Sequence, residues 1–305
     1  MKPADAWRTL RGVIRGVRRG ETFPPAGRVP ALDAPGGTRR TERRDAPAPG
    51  ERGTREMFRV EHAVHDVPLR GLANPLTVLQ VSDVHLRDGA AWAERTARWV
   101  REAAEAHPPD LLVLTGDVIT RGWDEAQVRA WMGALPRAPL GTFAVMGNWE
   151  HWGGAPPARW APLCAEHGVT LLRDAHVPLR DGALTLIGTE DLLAGPADLD
   201  AAVVGVRPDA PALLLSHSPA AFPALRERLG HLPGTLTLAG HTHGGQVRLP
   251  GVGPLFLPRG SGAYPWGWYG EAPHYLFVHR GMGWSVAPVR WRAPPEVVTL
   301  RVVPA

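Results

Sequence analysis

The chain of 305 residues contains one cysteine, Cys164, and has no long apolar run. A single cysteine excludes an intrachain disulfide framework and any metal site built from several cysteines. The longest apolar runs, such as residues 111–114, are far shorter than the roughly 18–20 residues that a membrane-spanning helix needs. The sequence therefore predicts no transmembrane helix.

Lysine is almost absent, and the charges are unevenly distributed. Lys2 is the only lysine among 34 basic residues. Residues 1–56 hold 13 basic and 7 acidic side chains, whereas the remaining residues hold 21 basic and 23 acidic side chains. Because this remainder is slightly acidic, it offers no basic groove for a phosphate backbone, and no nucleic-acid partner is expected.

The basic N-terminal part, residues 1–56, is predicted to be an arm outside the main domain of residues 57–305. Residues 20–56 are rich in Pro, Gly and Arg and have too few apolar residues to form a core, which predicts a linker or a strap on the surface. Before them, an apolar stripe at helical spacing with arginines beside it predicts a short amphipathic helix. The stripe consists of Trp7, Leu10, Val13, Ile14 and Val17.

Two interpretations of this helix stay open at the level of sequence. It either contacts an anionic membrane surface or packs its stripe on the main domain. The segment has neither the long apolar stretch nor the small-residue cleavage site of a secretory signal. We therefore expect a cytoplasmic protein, with peripheral attachment at the inner membrane face if the helix binds lipid.

From about residue 57 onward, short apolar runs alternate with helix-like segments, which predicts a layered α/β fold. The predicted strands are residues 76–82, 111–115, 142–146, 169–172, 184–187, 212–216, 235–239, 275–279 and 297–302. The predicted helices lie near residues 90–106, 124–134, 157–167, 196–204 and 219–229. The scarcity of helices in the C-terminal third indicates that part of the sheet is antiparallel.

Several predicted strands run directly into a residue that can bind a metal. These residues are Asp83, His85, Asp117, Asn148, His217, His241 and His243. Ligands in open α/β sheets bind at the carboxyl ends of strands, so we expect these side chains to converge in one crevice. Each short motif alone occurs often by chance. The ordered series D-x-H, G-D, G-N, S-H and G-H-T-H is far more specific.

The donor types indicate which metals the site would accept. Two carboxylates, four imidazoles and one amide oxygen suit Mn, Fe, Zn or Co. Seven donors exceed one tetrahedral site but suit two ions that share a bridging carboxylate. Two ions about 3.5–4 Å apart can stabilise a phosphoryl group while they activate a water molecule for attack.

The motifs SDVH, TGD, MGN, SHSP and AGHTHGGQ, in this order, resemble the calcineurin-like metallophosphoesterase superfamily. The longer strings HSPAAF, GHTHGGQVRLP and HRGMG are similar to its YkuE-type bacterial branch. The resemblance covers residues 57–305 and implies a four-layer αββα sandwich with two mixed β-sheets. It implies that Asp83, His85 and His243 hold one metal, that Asn148, His217 and His241 hold the other, and that Asp117 bridges them.

The chain departs from the superfamily at one position of its G-N-H-[DE] motif. Trp149 stands where the family has a histidine that contacts the phosphate, and an indole cannot transfer a proton there. His151 is the predicted catalytic replacement, together with Asp117, although a structural role for His151 is an open alternative. Asn148 and Gln246 are the predicted substrate contacts, and Gln246 is equally well explained as a turn residue.

The function expected from the sequence is hydrolysis of a phosphate ester or pyrophosphate by a water molecule that two divalent metal ions activate. The YkuE-type branch implies a lipid-linked or cell-envelope substrate. Trp149 motivates an alternative from another class, a metal-bound regulatory or binding protein with weak catalysis. The sequence does not indicate the oligomeric state.

Overall fold

The computed structural model describes residues 31–48, 51, 53–87 and 89–305. The amphipathic helix predicted within residues 7–19 lies outside these residues. The described residues form one seven-stranded sheet, one six-stranded sheet and a separate pair of short strands. Among them, no helix combines the length and the apolar character needed to cross a membrane.

The seven-stranded sheet is mixed. Its strands are β1 (Thr38–Arg44), β2 (Arg59–Leu69), β3 (Leu76–Val81), β4 (Leu111–Leu114), β5 (Thr142–Ala144), β6 (Val169–Leu171) and β15 (Glu296–Pro304). Their spatial order is β1-β2-β15-β3-β4-β5-β6. Strands β3 to β6 are parallel, and β15 inserts between β2 and β3, parallel to the first and antiparallel to the second.

The six-stranded sheet is also mixed, with antiparallel strands at both edges. Its strands are β7 (Ala175–Leu179), β8 (Leu184–Gly188), β9 (Ala212–Leu215), β10 (Thr235–Ala239), β13 (Gly267–Glu271) and β14 (His274–Val278). Their spatial order is β13-β14-β10-β9-β8-β7, and the four central strands are parallel. The separate pair consists of β11 (Arg248–Leu249) and β12 (Gly253–Pro254).

Helices connect most of the parallel strands. The α-helices are α1 (Ala90–Ala106), α2 (Glu125–Gly133), α3 (Asn148–Trp152), α4 (Pro157–Glu166), α5 (Leu199–Val203) and α6 (Phe222–Leu229). Short 3₁₀ helices cover Arg55–Phe58, Arg180–Gly182, Pro219–Ala221 and His243–Gly245. The crossovers run from β3 through α1 to β4, and from β9 through α6 to β10.

The buried side chains show how the layers stack. Neighbouring residues on a strand point to opposite faces. Val78 and Leu213 pack together between the two sheets, whereas Leu79 faces α1 and Leu214 faces α6. Helices therefore cover the outer face of each sheet. The predicted α/β class, with two mixed sheets flanked by helices in four layers, is confirmed.

Part of the predicted linker or strap forms regular structure. Strand β1, with every residue exposed, pairs antiparallel with β2 over its full length. Just beyond it, the Asp45 carboxylate accepts hydrogen bonds from the Trp99 indole at 2.7 Å and from the Arg98 guanidinium at 2.5 Å. These contacts fix residues 38–45 on the sheet and on α1. The division into an arm of residues 1–56 and a domain of residues 57–305 stays a prediction.

The protein is expected to lose stability on acidification, partly through His65. This ring lies between β1 and the second sheet, with Nδ1 2.7 Å from Thr38 Oγ1 and its centroid 5.0 Å from that of Phe277. Burial lowers the pKa of His65 from its ordinary 6.5 to about 4. Between these values only the unfolded chain binds the proton, so unfolding becomes easier as the pH falls. The difference between the two pKa values corresponds to a loss of about 3 kcal/mol in the free energy of unfolding.

Urea unfolding between pH 7 and pH 4 measures this contribution. The His65→Gln variant should show a shallower loss of unfolding free energy than the wild type over this range. The matched control is His231→Gln, since His231 is exposed. An unchanged pH dependence in His65→Gln would contradict the assignment.

Candidate metal centre

The seven predicted ligands lie in loops at the carboxyl ends of strands from both sheets. From the seven-stranded sheet come Asp83 and His85 after β3, Asp117 after β4 and Asn148 after β5. From the six-stranded sheet come His217 after β9 and His241 and His243 after β10. All seven residues are buried, none with more than 3% of its surface exposed. The fold therefore gathers them as the sequence predicts.

Five of the seven residues have a left-handed backbone, which residues other than glycine rarely adopt. They are Asp83, His85, Asp117, His241 and His243, with φ between 52° and 72°. Each such residue costs about 1–3 kcal/mol and persists only where its surroundings enforce it. Here the loops hold each other, because the backbone N–H groups of Asp83 and His85 donate to the carbonyls of Gly116 and Asp117.

Glycine is required beside the cluster because the loops approach closely. A Cβ atom on Gly240 would lie 2.5 Å from Oδ2 of Asp83, and one on Gly147 would lie 2.8 Å from Cε1 of His217. Neither distance is sterically possible. Gly147 and Gly240 directly precede Asn148 and His241, and their lack of a Cβ atom lets the loops from the two sheets meet.

A first group of donors consists of Asp83, His85, Asp117 and His243, whose donor atoms all lie within 4.8 Å of one another. The Nε2 atoms of His85 and His243 are 3.0 Å apart. Oδ1 of Asp83 lies 3.4 Å from Nε2 of His243, and Oδ2 of Asp117 lies 3.7 Å from Nε2 of His85. Nitrogen and oxygen atoms thus surround a common point.

A second group consists of Asp117, His217 and His241, and it shares Asp117 with the first. Nε2 of His217 lies 3.3 Å from Oδ2 of Asp117 and 3.1 Å from Nδ1 of His241. Oδ1 of Asn148 lies 3.2 Å from the same Nε2 atom. The Asp117 carboxylate therefore stands between the two groups, with its other oxygen, Oδ1, accepting the Trp149 backbone N–H at 2.8 Å.

Hydrogen bonds behind the rings determine which nitrogens face the centre. Nδ1 of His217 lies 2.8 Å from the Thr115 carbonyl, and Nε2 of His241 lies 2.5 Å from the Arg259 carbonyl. Because a carbonyl only accepts, each of these nitrogens carries the proton. When these rings are neutral, Nε2 of His217 and Nδ1 of His241 therefore direct lone pairs inward, the arrangement usual for metal-binding histidines.

The electrostatics of the cluster suit a bound cation. Burial lowers the pKa of His85 to about 3 and that of His241 to about 4, so these rings are neutral donors. Burial, together with the Asp117 charge, raises the pKa of Asp83 to about 7. Burial alone would lower the pKa of His217, but Asp117, Asp83 and Asp191 together outweigh it and raise that pKa well above 6.5. The site thus favours positive charge between its carboxylates, and the residues fit divalent metal ions.

A known protein family matches the part of the chain that carries these residues. The model of the family described as calcineurin-like phosphoesterase matches residues 76–245, more than half of the chain. The chain belongs to this family. The matched range begins at β3 and ends just after His243, so it contains all seven candidate ligands.

Relatives with curated descriptions agree with this assignment. The uncharacterized metallophosphoesterase YkuE of Bacillus subtilis is 32% identical over 72% of this chain and 76% of its own length. The phosphodiesterase YaeI of Escherichia coli is 30% identical over 64% of this chain and 71% of its own. The UDP-2,3-diacylglucosamine pyrophosphatase LpxG of Chlamydia trachomatis is 25% identical over 74% of this chain and 83% of its own.

This protein is therefore a metallophosphoesterase of the YkuE type, a hydrolase of phosphoric ester bonds. The family uses divalent metals, and the Asp and His clusters of this enzyme are suited to bind them. The geometry is compatible with the predicted ligand roles of the seven residues, which stay predictions.

Glu150 has a structural importance at the site that the sequence analysis missed. Its fully buried carboxylate accepts the backbone N–H groups of Asp117 at 3.0 Å, Val118 at 2.7 Å and Gly147 at 2.7 Å. One side chain thereby fixes the two loops that carry Asp117 and Asn148. The acidic residue of the G-N-x-[DE] motif was the available signal.

Arg290 is a second residue that sequence reasoning missed. It is 1% exposed, and its guanidinium donates to the carbonyls of Gly281, Gly283 and Ala293, while one of its amino groups lies 3.3 Å from Nδ1 of His243. It therefore braces residues 281–283 against the loop of His243. No short motif surrounds Arg290, so the sequence carried no signal for this contact.

Trp149, at the position where the resemblance leads us to expect a histidine, contacts residues beside the metal centre. The indole N–H donates to Ser285 Oγ at 3.1 Å, and the ring stands edge to face with His85, 6.1 Å between centroids. A cavity of about 530 Å³ opens above the metal centre, and His151 does not line it. Its Nε2 lies 3.0 Å from Glu190, whose other oxygen accepts Arg173. The predicted catalytic role of His151 is untested, and this placement favours its structural alternative.

Gln246 lines the cavity, but its carboxamide is already engaged. Oε1 accepts the Ser285 N–H at 2.7 Å, and Nε2 donates to the carbonyls of Ala287 and Val289 at 3.4 and 3.3 Å. Gln246 therefore holds the loop of residues 285–289 against the metal centre. Its predicted contact with the substrate stays a prediction, and these bonds favour a supporting role.

The cavity of about 530 Å³ opens directly above the metal centre. Asp117, Asn148, His241 and His243 belong to its lining. Most of the remaining lining is apolar: Trp149, Trp152, Leu192, Leu193, Val247, Leu255, Phe256, Pro258, Val286 and Ala287. Two exposed arginines, Arg121 and Arg259, complete the charged part. The cavity thus joins a polar floor to apolar walls.

Proposed function

We propose that this phosphoesterase holds two divalent cations and hydrolyses a phosphate ester or pyrophosphate that carries an apolar group. The observation that carries the proposal is the cavity whose floor is the Asp and His cluster and whose walls are apolar. Metal ions in such a site supply stabilisation of phosphoryl oxygens and a nucleophile derived from water near neutral pH.

Two cations are supported by the two donor groups that share Asp117. Their oxygen and nitrogen donors suit Mn, Fe, Zn or Co. The backbone N–H of Trp149 donates to Oδ1 of Asp117, which leaves Oδ2 free to bind at the position shared by the two cations. Asn148 and His217 belong to the second group by their 3.2 Å contact.

An apolar substrate portion is supported by the walls of the cavity. Trp152, Leu255 and Val286 are 51%, 40% and 40% exposed at its mouth, so that a hydrocarbon chain could cover them. Each methylene group buried contributes about 0.8 kcal/mol. Arg121 and Arg259 offer cations to a second phosphate, as in a pyrophosphate. The names of LpxG and YaeI, a pyrophosphatase of a diacylated nucleotide sugar and a phosphodiesterase, agree with this class.

We also propose peripheral attachment of the enzyme at the inner membrane face. The basic amphipathic stripe predicted within residues 7–19 supports this proposal, and it lies outside the residues that the structure describes. A lipid-linked substrate would be reached from such a position.

The test compares two diesters with the same leaving group, methyl p-nitrophenyl phosphate and hexyl p-nitrophenyl phosphate, in the presence of Mn²⁺. We expect kcat/KM to be at least about tenfold higher for the hexyl ester, because the added methylene groups bind the apolar walls. Leu255→Ser should reduce this ratio about threefold or more, since it removes part of a wall.

The matched control is Val204→Ser, because Val204 is 73% exposed and lies outside the cavity lining. It should leave the ratio unchanged. Equal kcat/KM values for the two esters would contradict the apolar substrate portion. Absence of all turnover with bound Mn²⁺ would instead favour the metal-bound regulatory or binding protein that Trp149 motivates.

A further inference from the structure

The protein has a second cavity, of about 660 Å³. Consecutive stretches of the chain line the first and the second cavity. The segment after His243 lines the first cavity as far as Val247 and the second from Arg248 onward. Five guanidinium groups line this second cavity, those of Arg40, Arg59, Arg248, Arg280 and Arg292. Two carboxylates, Glu56 and Glu61, also line it. None of these residues belongs to the metal centre.

Two of the five arginines are neutralised within the protein. Arg280 donates through Nε to Glu296 at 2.6 Å and through an amino group to Glu61 at 2.8 Å. Arg59 forms ion pairs with Glu42 at 2.7 Å and with Glu61 at 3.3 Å. Glu61 is therefore already shared between two cations.

The other three arginines, Arg40, Arg248 and Arg292, form no ion pair with any residue that the structure describes. The remaining carboxylate, Glu56, accepts the backbone N–H of Arg292 at 2.5 Å. Three guanidinium groups thus face one cavity, and of the two carboxylates that line it only Glu56 is not already paired with Arg59 and Arg280. Such an excess of positive charge attracts an anion.

Arg248 is the most constrained of the three. Its Cζ lies 4.4 Å from the centroid of the Trp266 ring, a cation–π contact that fixes the guanidinium plane. Its Nε is buried and has no hydrogen-bond partner among the described residues. Burial, with the charge of Arg280, lowers the pKa of Arg248 to about 10. A buried N–H without an acceptor destabilises the protein, and a bound oxygen atom would remove this penalty.

We propose that this second cavity binds the phosphate group of a ligand through Arg40, Arg248 and Arg292, at a site separate from the metal centre. Guanidinium groups match phosphate oxygens with paired N–H donors, and three of them together with Glu56 balance a doubly charged phosphate. The cavity is much larger than a phosphate ion, so it also accommodates the group that the phosphate is attached to. The proposal does not depend on the substrate proposed for the metal centre.

Calorimetric titration of the full-length, metal-loaded protein with inorganic phosphate tests the site. We expect two classes of binding site in the wild type, because the metal centre also binds phosphate. Arg248→Met keeps an apolar contact with Trp266 but removes the charge. In the double variant Arg248→Met/Arg292→Gln, phosphate should bind one of the two classes of site at least tenfold more weakly. Turnover of methyl p-nitrophenyl phosphate should be unchanged in both.

The matched control is Arg207→Met, since Arg207 is an exposed arginine outside both cavities. Arg40→Gln keeps the test decisive if the double variant unfolds, because Arg40 is exposed on β1. It should weaken the same class by about threefold. A single class of site in the wild type, or two unchanged classes in Arg40→Gln and in a folded double variant, would overturn the proposal.

Vesicle sedimentation distinguishes the two sources of the phosphate group. Vesicles of phosphatidylcholine with phosphatidic acid are compared with vesicles of phosphatidylcholine alone. If the wild type binds the vesicles with phosphatidic acid, and this binding falls at least about fivefold in Arg40→Gln and in the double variant, the phosphate group belongs to a lipid headgroup. Equal vesicle binding by wild type and variants, with phosphate binding lost in the variants, identifies a soluble phosphate ester.

Discussion

Replacement of Asp117 by asparagine is expected to reduce phosphoester hydrolysis by more than about 10²-fold. Removing a group that only orients a metal ligand typically costs 10–100-fold, so losing a shared ligand should cost more. Oδ1 of Asp117 accepts the Trp149 N–H, and the oxygen of asparagine would keep this bond. The amide nitrogen would then point at Nε2 of His217, where the centre needs an acceptor.

The measurement is turnover of methyl p-nitrophenyl phosphate with Mn²⁺, together with bound metal by elemental analysis. Asp209→Asn is the matched control, because Asp209 is an exposed carboxylate paired with Arg207. Both variants should unfold cooperatively, which separates loss of chemistry from loss of fold. Retention of wild-type metal content and of turnover within tenfold in Asp117→Asn would show that Asp117 does not join two metal sites.

The second large effect is expected from Glu150→Gln, which should destabilise the protein and weaken metal binding together. Each oxygen of Glu150 accepts at least two backbone N–H groups. In glutamine an NH₂ group replaces one of these oxygens, and it cannot accept hydrogen bonds from the backbone N–H groups that it faces. Two unsatisfied buried N–H groups correspond to at least about 2 kcal/mol. For a domain of this size that lowers Tm by roughly 4 °C or more.

Calorimetry with and without Mn²⁺ measures both effects. We expect the increase in Tm that Mn²⁺ produces to be smaller in the variant, because the loops of Asp117 and Asn148 lose their common anchor. Glu166→Gln is the control, since Glu166 is an exposed carboxylate paired with Arg129. A Tm within about 1 °C of wild type would contradict the anchoring role.

The helices and strands were predictable where a single pattern of apolar side chains runs through the whole segment. Helix α1 has the predicted bounds because its buried residues recur at helical spacing, and β4 follows from a continuous apolar run. Strand β2 was missed because His, Asp and Pro interrupt its apolar pattern. These polar residues are tolerated because neighbours on β1 and β15 supply hydrogen bonds, as Thr299 does for His62 at 2.9 Å.

The convergence of the site was predictable, but its support was not. Donors that end parallel strands must meet at one edge, so seven of them could be located from the sequence. The contacts of Glu150 and Arg290 depend on loops distant in sequence, and no local pattern reports such contacts. Likewise, an arginine-rich segment resembles a linker in composition, whereas residues 38–44 form β1 because β2 offers them a free edge.

Strand β1 bears on how separate copies of this chain behave toward each other. An uncovered edge strand offers unpaired backbone groups to any other strand and favours aggregation. Here the outermost strand is β1, which exposes four arginines, Arg39, Arg40, Arg43 and Arg44. Arg39, Arg43 and Arg44 form ion pairs within this chain, and such charged side chains on an edge strand disfavour the addition of a strand from a second copy. Shortening the chain past residue 44 would uncover β2, whose eleven residues would then be open to strand addition between molecules.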